Sequence, residues 1–341
     1  MSRFHATAEP LDLTLRRTFT ISRWSRDVAP NVLVRLQADG IEGIGEAAPN
    51  KRYNESQESA IAYIRRVDLS LIRNPYDVDA FIAILDAAGP GEYSAKVALE
   101  MALYDWIGKS LNVPLHQLWN APSSTGPVST YTIGIDSLEN LAARVEEAGS
   151  FPILKVKMGT DQDEVVMKHL RTLTDKPIWV DANEGWKDVD TALARIRFLA
   201  DHGVEMIEQP MPAAMTQELA QLKAKSPLPM YADESFTGKE TVEQLAACFH
   251  GVNIKIMKTG SLRRSLQWAH RSRRAGLGVM VGCMIESSLA DTASALISLW
   301  ADAADLDGHV LIRDDPFKGL TFDSAQRVVL NDLPGLGVIP A

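Results

Sequence analysis

The sequence predicts an α/β protein whose larger part is a parallel strand-and-helix barrel, preceded by a smaller α+β domain. Three observations carry this. From about residue 128 short β-rich runs recur roughly every 20 to 27 residues, with amphipathic helical stretches between them; that alternation means parallel βαβ units, and seven or eight of them close into a barrel. The first third of the chain lacks this rhythm. At 341 residues the chain exceeds an ordinary single domain and fits a barrel with a smaller partner.

In the first third, residues 4–13, 31–37 and 41–47 alternate as strands do. Helical stretches follow at 55–73, at 75–87, where Pro75 takes a permitted first-turn position, and at 94–111, where Val97, Met101 and Trp106 fall at helical spacing. Barrel strands are placed at 128–135, 153–158, 178–182, 204–207, 230–232, 252–257 and 279–284, and an eighth should end within 304–308. Beyond Val310 the rhythm stops, and Pro334-Gly335-Leu336-Gly337 reads as irregular coil folding back on the first domain. The expected boundaries are therefore 1–125 for the α+β domain, 126–310 for the barrel and 311–341 for a returning tail.

Composition narrows the function classes. Hydrophobic residues make up 46% and charged residues 23%, ordinary for a soluble enzyme. A net charge of −9 argues against nucleic acid and anionic membrane as partners, since both require clustered Lys and Arg. No run of eighteen apolar residues occurs, and the start carries Arg3 and His5 followed by Glu9 and Asp12 rather than a signal peptide. The expectation is a cytoplasmic protein without a membrane partner; a homo-oligomer is expected only because such assemblies are common. Cys248 and Cys283 lie far apart in apolar surroundings and read as two reduced thiols.

Two motifs fail on inspection. Gly43-Ile-Gly45-Glu-Ala-Ala48 is a loose dinucleotide fingerprint, but Pro49-Asn50 follows where a phosphate-binding helix should run. Asp181-Ala-Asn183-Glu-Gly185 starts like a calcium loop, yet its twelfth position is Ala192 instead of Glu.

The informative residues end the strands. Lys155 and Lys157 share one strand face, because side chains alternate with period two. The next strands deliver Asp181, Glu208, Asp233 and then Lys255 at or near their C-terminal ends. In a parallel barrel those ends form the mouth, where active sites sit. Three carboxylates are thus flanked on both sides by lysine. Carboxylate oxygens without His or Cys suit a hard divalent cation, and Mg²⁺ keeps positions open for substrate. A substrate carboxylate on that metal can carry the charge of an enediolate once its α-proton leaves, with lysines on either side as base and conjugate acid. Lys258 lies three residues beyond Lys255, so it is expected to point elsewhere, in a surface or structural role. A single strand-end acid could equally be a helix cap or loop anchor.

These motifs, Lys155-Val-Lys157, Asp181-Ala-Asn183, Ile207-Glu208-Gln209-Pro210, Ala232-Asp233-Glu234-Ser235 and Asn253-Ile-Lys255, resemble the muconate-lactonizing-enzyme subgroup of the enolase superfamily. Gly43-Ile-Gly-Glu46-Ala-Ala-Pro49 and Arg52-Tyr53 resemble its capping-domain pattern, so the resemblance runs nearly end to end. It implies a modified TIM barrel, (β/α)₇β, topped by an α+β capping domain. It implies Asp181, Glu208 and Asp233 as Mg²⁺ ligands, Lys157 and Lys255 as acid/base catalysts, and Lys155 as the residue that steadies the carboxylate and the enolate.

Within the subgroup, Asp305-Leu306-Asp307 resembles the Asp-x-Asp of dipeptide epimerases, which holds the ammonium of the substrate's first residue. Two carboxylates at period-two spacing can share one cation, and an acyl-amino acid offers none; a solvated acidic loop after Asp302 would explain the same letters. The loop Ile21-Ser22-Arg23-Trp24-Ser25-Arg26 resembles the L-Ala-D/L-Glu epimerase form, with Arg23 or Arg26 suited to an acidic second residue. Two departures stand out: Trp24 replaces an expected small residue, and Ser261 a frequent glycine. The reading is a Mg²⁺-dependent epimerase moving the α-proton of the C-terminal residue of a dipeptide, Ala-Glu, in cell-wall peptide turnover. Its rivals are an N-acylamino-acid racemase or o-succinylbenzoate synthase, and a barrel that binds a carboxylate without catalysis.

Overall fold

A computed structural model describes residues 4–341. Strands β1 (His5–Ile21), β2 (Trp24–Ala38) and β3 (Ile41–Ala47) form an antiparallel sheet in that order. Helices α1 (Gln57–Arg66) and α3 (Tyr93–Leu111) pack on it and α2 (Val78–Ala87) packs on α3, followed by the short α4 (Leu115–Leu118) and β4 (Thr125–Val128). The glycines of the rejected fingerprint belong to this packing. A Cβ on Gly43 or Gly45 would lie 2.0 Å from the carbonyl oxygen of Ala102 or Ala98, so α3 reaches β3 only because both positions lack a side chain.

Eight parallel strands follow: β5 (Tyr131–Ile133), β6 (Leu154–Lys157), β7 (Ile178–Asp181), β8 (Val204–Glu208), β9 (Met230–Ala232), β10 (Gly251–Ile254), β11 (Gly278–Gly282) and β12 (Ala303–Asp305). Their spatial order is their sequence order, and a parallel bridge from Ser129 to Ala304 joins the two ends into a ring. Helices α5 (Leu138–Glu147), α6 (Asp163–Leu173), α7 (Val189–Asp201), α8 (Thr216–Lys225), α9 (Val242–Cys248), the single turn α10 (Ile256–Thr259), α11 (Leu262–Arg274) and α12 (Ser288–Ser298) lie between the strands. Discounting α10, this is the (β/α)₇β order. The apolar strand residues, such as Leu154, Val156, Ile178, Val180 and Val252, are fully buried.

Several elements differ from their expected extents. β1 and β2 run far beyond residues 13 and 31 as one long ribbon, paired up to Ile21 and Trp24 with a register shift between Thr14 and Phe19. Charged residues and Pro30 hide this stretch from a strand pattern, because little of it is core. The first helix ends at Arg66. The second starts at Val78, not Pro75, since Asp77 caps it by accepting from Ala80 N at 3.0 Å. Residues 252–257 are not one strand: the chain leaves β10 at Ile254 and turns at once into α10.

The tail is not plain coil. It forms β13 (Phe317–Lys318), β14 (Thr321–Phe322), β15 (Arg327–Val329) and β16 (Ile339–Pro340), with β15 pairing β4. Its Leu336 N donates to Asp105 Oδ1 on α3 at 2.9 Å, and Leu115 N donates to Gly335 O at 2.9 Å. Buried polar contacts also tie α3 and β3 to the barrel: Glu100 accepts from Leu262 N and Arg263 N at the start of α11, and Glu46 accepts from Ser287. Both cysteines are free and buried. No helix among the described residues is long and apolar enough to cross a membrane.

Candidate active site

The strand ends converge as a ring of charge under the β1–β2 ribbon. Asp181 ends β7, Glu208 ends β8, and Asp233 follows β9; each offers a carboxylate oxygen within 4.8 Å of the others, and all are buried. Lysines surround them. Lys157 Nζ donates to Asp181 Oδ2 at 2.6 Å, and Lys255 Nζ donates to Asp233 Oδ2 at 3.0 Å. These two ammoniums therefore flank the carboxylates from opposite strands, β6 and the end of β10. Lys155, fully buried, lies 2.7 Å from Glu208 Oε2 and 3.7 Å from Asp181 Oδ2.

Burial alone would make every carboxylate here hard to ionise, and the lysines decide the outcome residue by residue. For Asp181, burial is outweighed by Lys157 and Lys155, which hold its pKa below the usual range. At Asp233 the same burial is outweighed more strongly by Lys255 and Lys258, and its pKa falls well below. Glu208 keeps the burial effect and rises to about 7. Burial pulls against the charge on Lys155 and Lys255, but their carboxylate neighbours, led by Asp305 and Asp233 respectively, raise both.

The donor set fits a hard divalent cation. It is all carboxylate oxygen, without nitrogen or sulfur. Glu208 Oε2 takes no aligned hydrogen bond although Lys155 lies 2.7 Å away, so that contact is an ion pair that leaves a lone pair unspent. Two neighbours preset the acids. Asn253 Nδ2 donates to Glu208 Oε1 at 2.9 Å, and Gln209 Oε1 accepts from Asp233 N and Ser235 N. Gln209 holds this bridge with a φ of 35°, and Asn183 and Glu184 beside Asp181 also have positive φ, so both strand ends turn sharply to aim their acids inward.

Lys258 corrects the expectation that it points elsewhere. It is buried, and its Nζ donates to Asp233 Oδ1 at 2.5 Å, to Asp233 O at 2.6 Å and to Asn253 O at 3.1 Å. Strand spacing placed it wrongly, because α10 begins directly after Lys255 and one helical turn returns residue 258 to the same side. Gly260, closing α10 at φ 69°, was the available signal of that turn.

Asp305 and Asp307 lie at the other edge of the cavity, both buried. Lys155 Nζ donates to Asp305 Oδ2 at 2.6 Å, and Thr130 Oγ1 donates to Asp305 Oδ1 at 2.6 Å. Thr132 holds Asp307 through its backbone N–H and, at 3.3 Å, its hydroxyl. These threonines were not singled out in the sequence. Thr130 stands just before β5 and Thr132 within it, and only ring closure makes β5 the neighbour of β12.

The two arginines of the ribbon turn have different surroundings. Arg23 donates to Asn183 O at 2.8 Å, Glu184 Oε2 at 3.0 Å and Glu234 Oε1 at 2.5 Å, and Arg52 grips Glu184 from the other side. Arg26 has no hydrogen-bond or ion-pair partner among the described residues; its guanidinium stacks 3.8 Å above the Trp24 ring and lines the cavity. Burial pulls its pKa down. Tyr53, Asn50 and Cys283 complete the wall near Lys255.

Residues 137–340 match the model of the enolase C-terminal domain-like family, and residues 7–119 match that of the mandelate racemase/muconate lactonizing enzyme N-terminal domain. The chain is 40% identical to an L-Ala-D/L-Glu epimerase of Bacteroides thetaiotaomicron over 97% of its length and 86% of the relative's. Among solved structures it resembles a substrate-liganded L-Ala-D/L-Glu epimerase from Bacillus subtilis, with TM-score 0.92, 28% identity and full coverage of both chains. It also resembles a dipeptide epimerase from Enterococcus faecalis complexed with Mg and L-Leu-L-Tyr, with TM-score 0.91, 27% identity and 99% of each chain covered.

Proposed function

The chain belongs to the mandelate racemase/muconate lactonizing enzyme family of the enolase superfamily, and on that premise we propose that it is a Mg²⁺-dependent dipeptide epimerase, an isomerase acting on the α-carbon of the C-terminal residue. The observation that carries the reading is the placement of Lys157 and Lys255 on opposite sides of one carboxylate trio, with Asp305 and Asp307 at the same cavity.

Asp181, Glu208 and Asp233 would hold the cation. Mg²⁺, when bound, supplies Lewis-acid stabilisation of the charge that builds on the substrate carboxylate as its α-proton leaves. The chain's own residues do the rest. Lys157 and Lys255 face the α-carbon from either side, so one removes the proton and the other returns one to the opposite face. Lys155 keeps its ammonium among Asp305, Glu208 and Asp181 and presents fixed positive charge to the carboxylate and the enolate. Asp305 and Asp307 receive the ammonium of the first residue. Arg26, lining the cavity without a carboxylate partner, suits an acidic second side chain, which makes Ala-Glu the preferred substrate.

Cytoplasmic turnover of cell-wall peptides is the setting we propose. Two free, buried cysteines suit a reducing compartment.

Mass spectrometry of L,L-dipeptide pools in deuterated buffer with Mg²⁺ tests this. Label should enter the C-terminal residue of Ala-Glu and few others, and Lys157→Ala should abolish it. Exchange in N-succinyl amino acids but in no dipeptide would reject the epimerase and the roles of Asp305 and Asp307.

A further inference from the structure

A second cavity opens beside the first and has no part in the chemistry above. It measures about 420 Å³ against about 90 Å³ for the catalytic cavity, and the two share Phe19, Thr132 and Leu311 as walls. Thr132 is also the residue that holds Asp307. Thr132 therefore stands where the two cavities adjoin, in contact with the carboxylate assigned to the substrate's first ammonium.

Its charge is one-sided once existing contacts are subtracted. The two acids are taken: Asp136 by Asn140 and Arg144, both at 2.7 Å, and Glu147 by Arg17 at 2.7 Å and Arg144 at 3.1 Å. Two further arginines remain with donors to spare. Arg16 uses only Nε, donating to Ile312 O at 2.8 Å, and the Arg313 side chain has no partner among the described residues. Leu15, Ile135 and Val310 supply apolar wall in the same cavity.

In a dipeptide whose ammonium sits at Asp305 and Asp307, the first side chain leaves the carbon one bond away. An alanine methyl would end where the two cavities adjoin. We infer that the second cavity is a subsite for the first residue's side chain, and that it takes a longer side chain ending in a carboxylate, as in a Glu-Glu dipeptide. The inference rests on the epimerase reading. The stem would lie along the apolar wall and the carboxylate would meet Arg313 and Arg16, whereas a lysine would face like charge.

The test compares kcat/KM for Ala-Glu, Gln-Glu, Glu-Glu and Lys-Glu at fixed ionic strength in the wild type and in Arg313→Met and Arg313→Glu. Glu-Glu should exceed its isostere Gln-Glu by about tenfold, and Lys-Glu should be the poorest. Arg313→Met should lower the ratio of Glu-Glu to Ala-Glu, and Arg313→Glu should invert the order of Glu-Glu and Lys-Glu. Turnover of Ala-Glu with Gln-Glu, Glu-Glu and Lys-Glu equal to one another, or ratios unmoved by both variants, would overturn the subsite while leaving the epimerase standing. Absence of turnover with every dipeptide would remove the epimerase reading and the subsite with it.

Discussion

Lys155 on the second barrel strand donates to Asp305 on the eighth at 2.6 Å, so Asp305 already has its cation. Burial would raise the Asp305 pKa, but Lys155 and Lys157 bring it down to about 2. Asp307 has no such partner, and burial with the charge of Asp305 pushes it up to about 7. An arriving ammonium thus gains most at Asp307.

From this follows a pH dependence. In the proposed role Asp307 binds the ammonium as a carboxylate, so kcat/KM for Ala-Glu should fall as pH drops below about 7. Asp307→Asn should lower the plateau by about ten- to a hundredfold, the worth of one charge-assisted hydrogen bond, and should flatten this limb. A wild-type profile level from pH 5.5 to 7.5 would contradict it.

Lys258 binds the side chain and the backbone of Asp233 at once. Lys258→Met should weaken Mn²⁺ binding, followed by electron paramagnetic resonance, by about ten- to a hundredfold, as loss of contacts behind a metal ligand does elsewhere. Lys258→Arg should recover part of it. Unchanged Mn²⁺ affinity in the Met variant would reduce Lys258 to a packing role.

Arg23 and Arg26 should separate cleanly. Arg26→Met should cost about a hundredfold in kcat/KM for Ala-Glu and little for Ala-Leu, because only the former has a side-chain carboxylate. Arg23→Met breaks the ties to Glu184 and Glu234. It should speed hydrogen exchange in residues 19–26 and impair all dipeptides alike. The opposite pattern would exchange the two roles.

Glu46 predicts how stability varies with pH. Burial raises its pKa from 4.5 to about 7, against hydrogen bonds from Ser287 and Asn31. The folded state therefore holds a proton that the unfolded chain releases first. The stabilisation is fully present below pH 4.5 and is lost as pH rises through about 7, up to about 3 kcal/mol. Glu55 and Glu100 act in the same direction, so the wild-type Tm should decline between pH 5 and 8 and Glu46→Gln should make the decline shallower. Parallel Tm curves for the two proteins would exclude Glu46 as a source of it.

Much of the barrel and its mouth could be read from the chain because local periodicity reports them. Strand and helix repeat at a regular spacing, and Asp181, Glu208 and Asp233 each stand at or next to a strand end. Period-two alternation sends Lys155 and Lys157 the same way. Parallel topology then gathers all of these residues at one mouth.

Contacts between distant segments were beyond that logic. Lys258 turned inward because a single helical turn replaced the last residues of a strand. The commitment of Arg23 but not Arg26 depends on partners about 160 and 211 residues away. Closure between β12 and the start of β5 brought Thr130 and Thr132 to Asp305 and Asp307, and opened the second cavity behind them. Periodicity determines which way a side chain leaves its own element. What it meets there is set by how the elements pack, and only the tertiary structure holds that information.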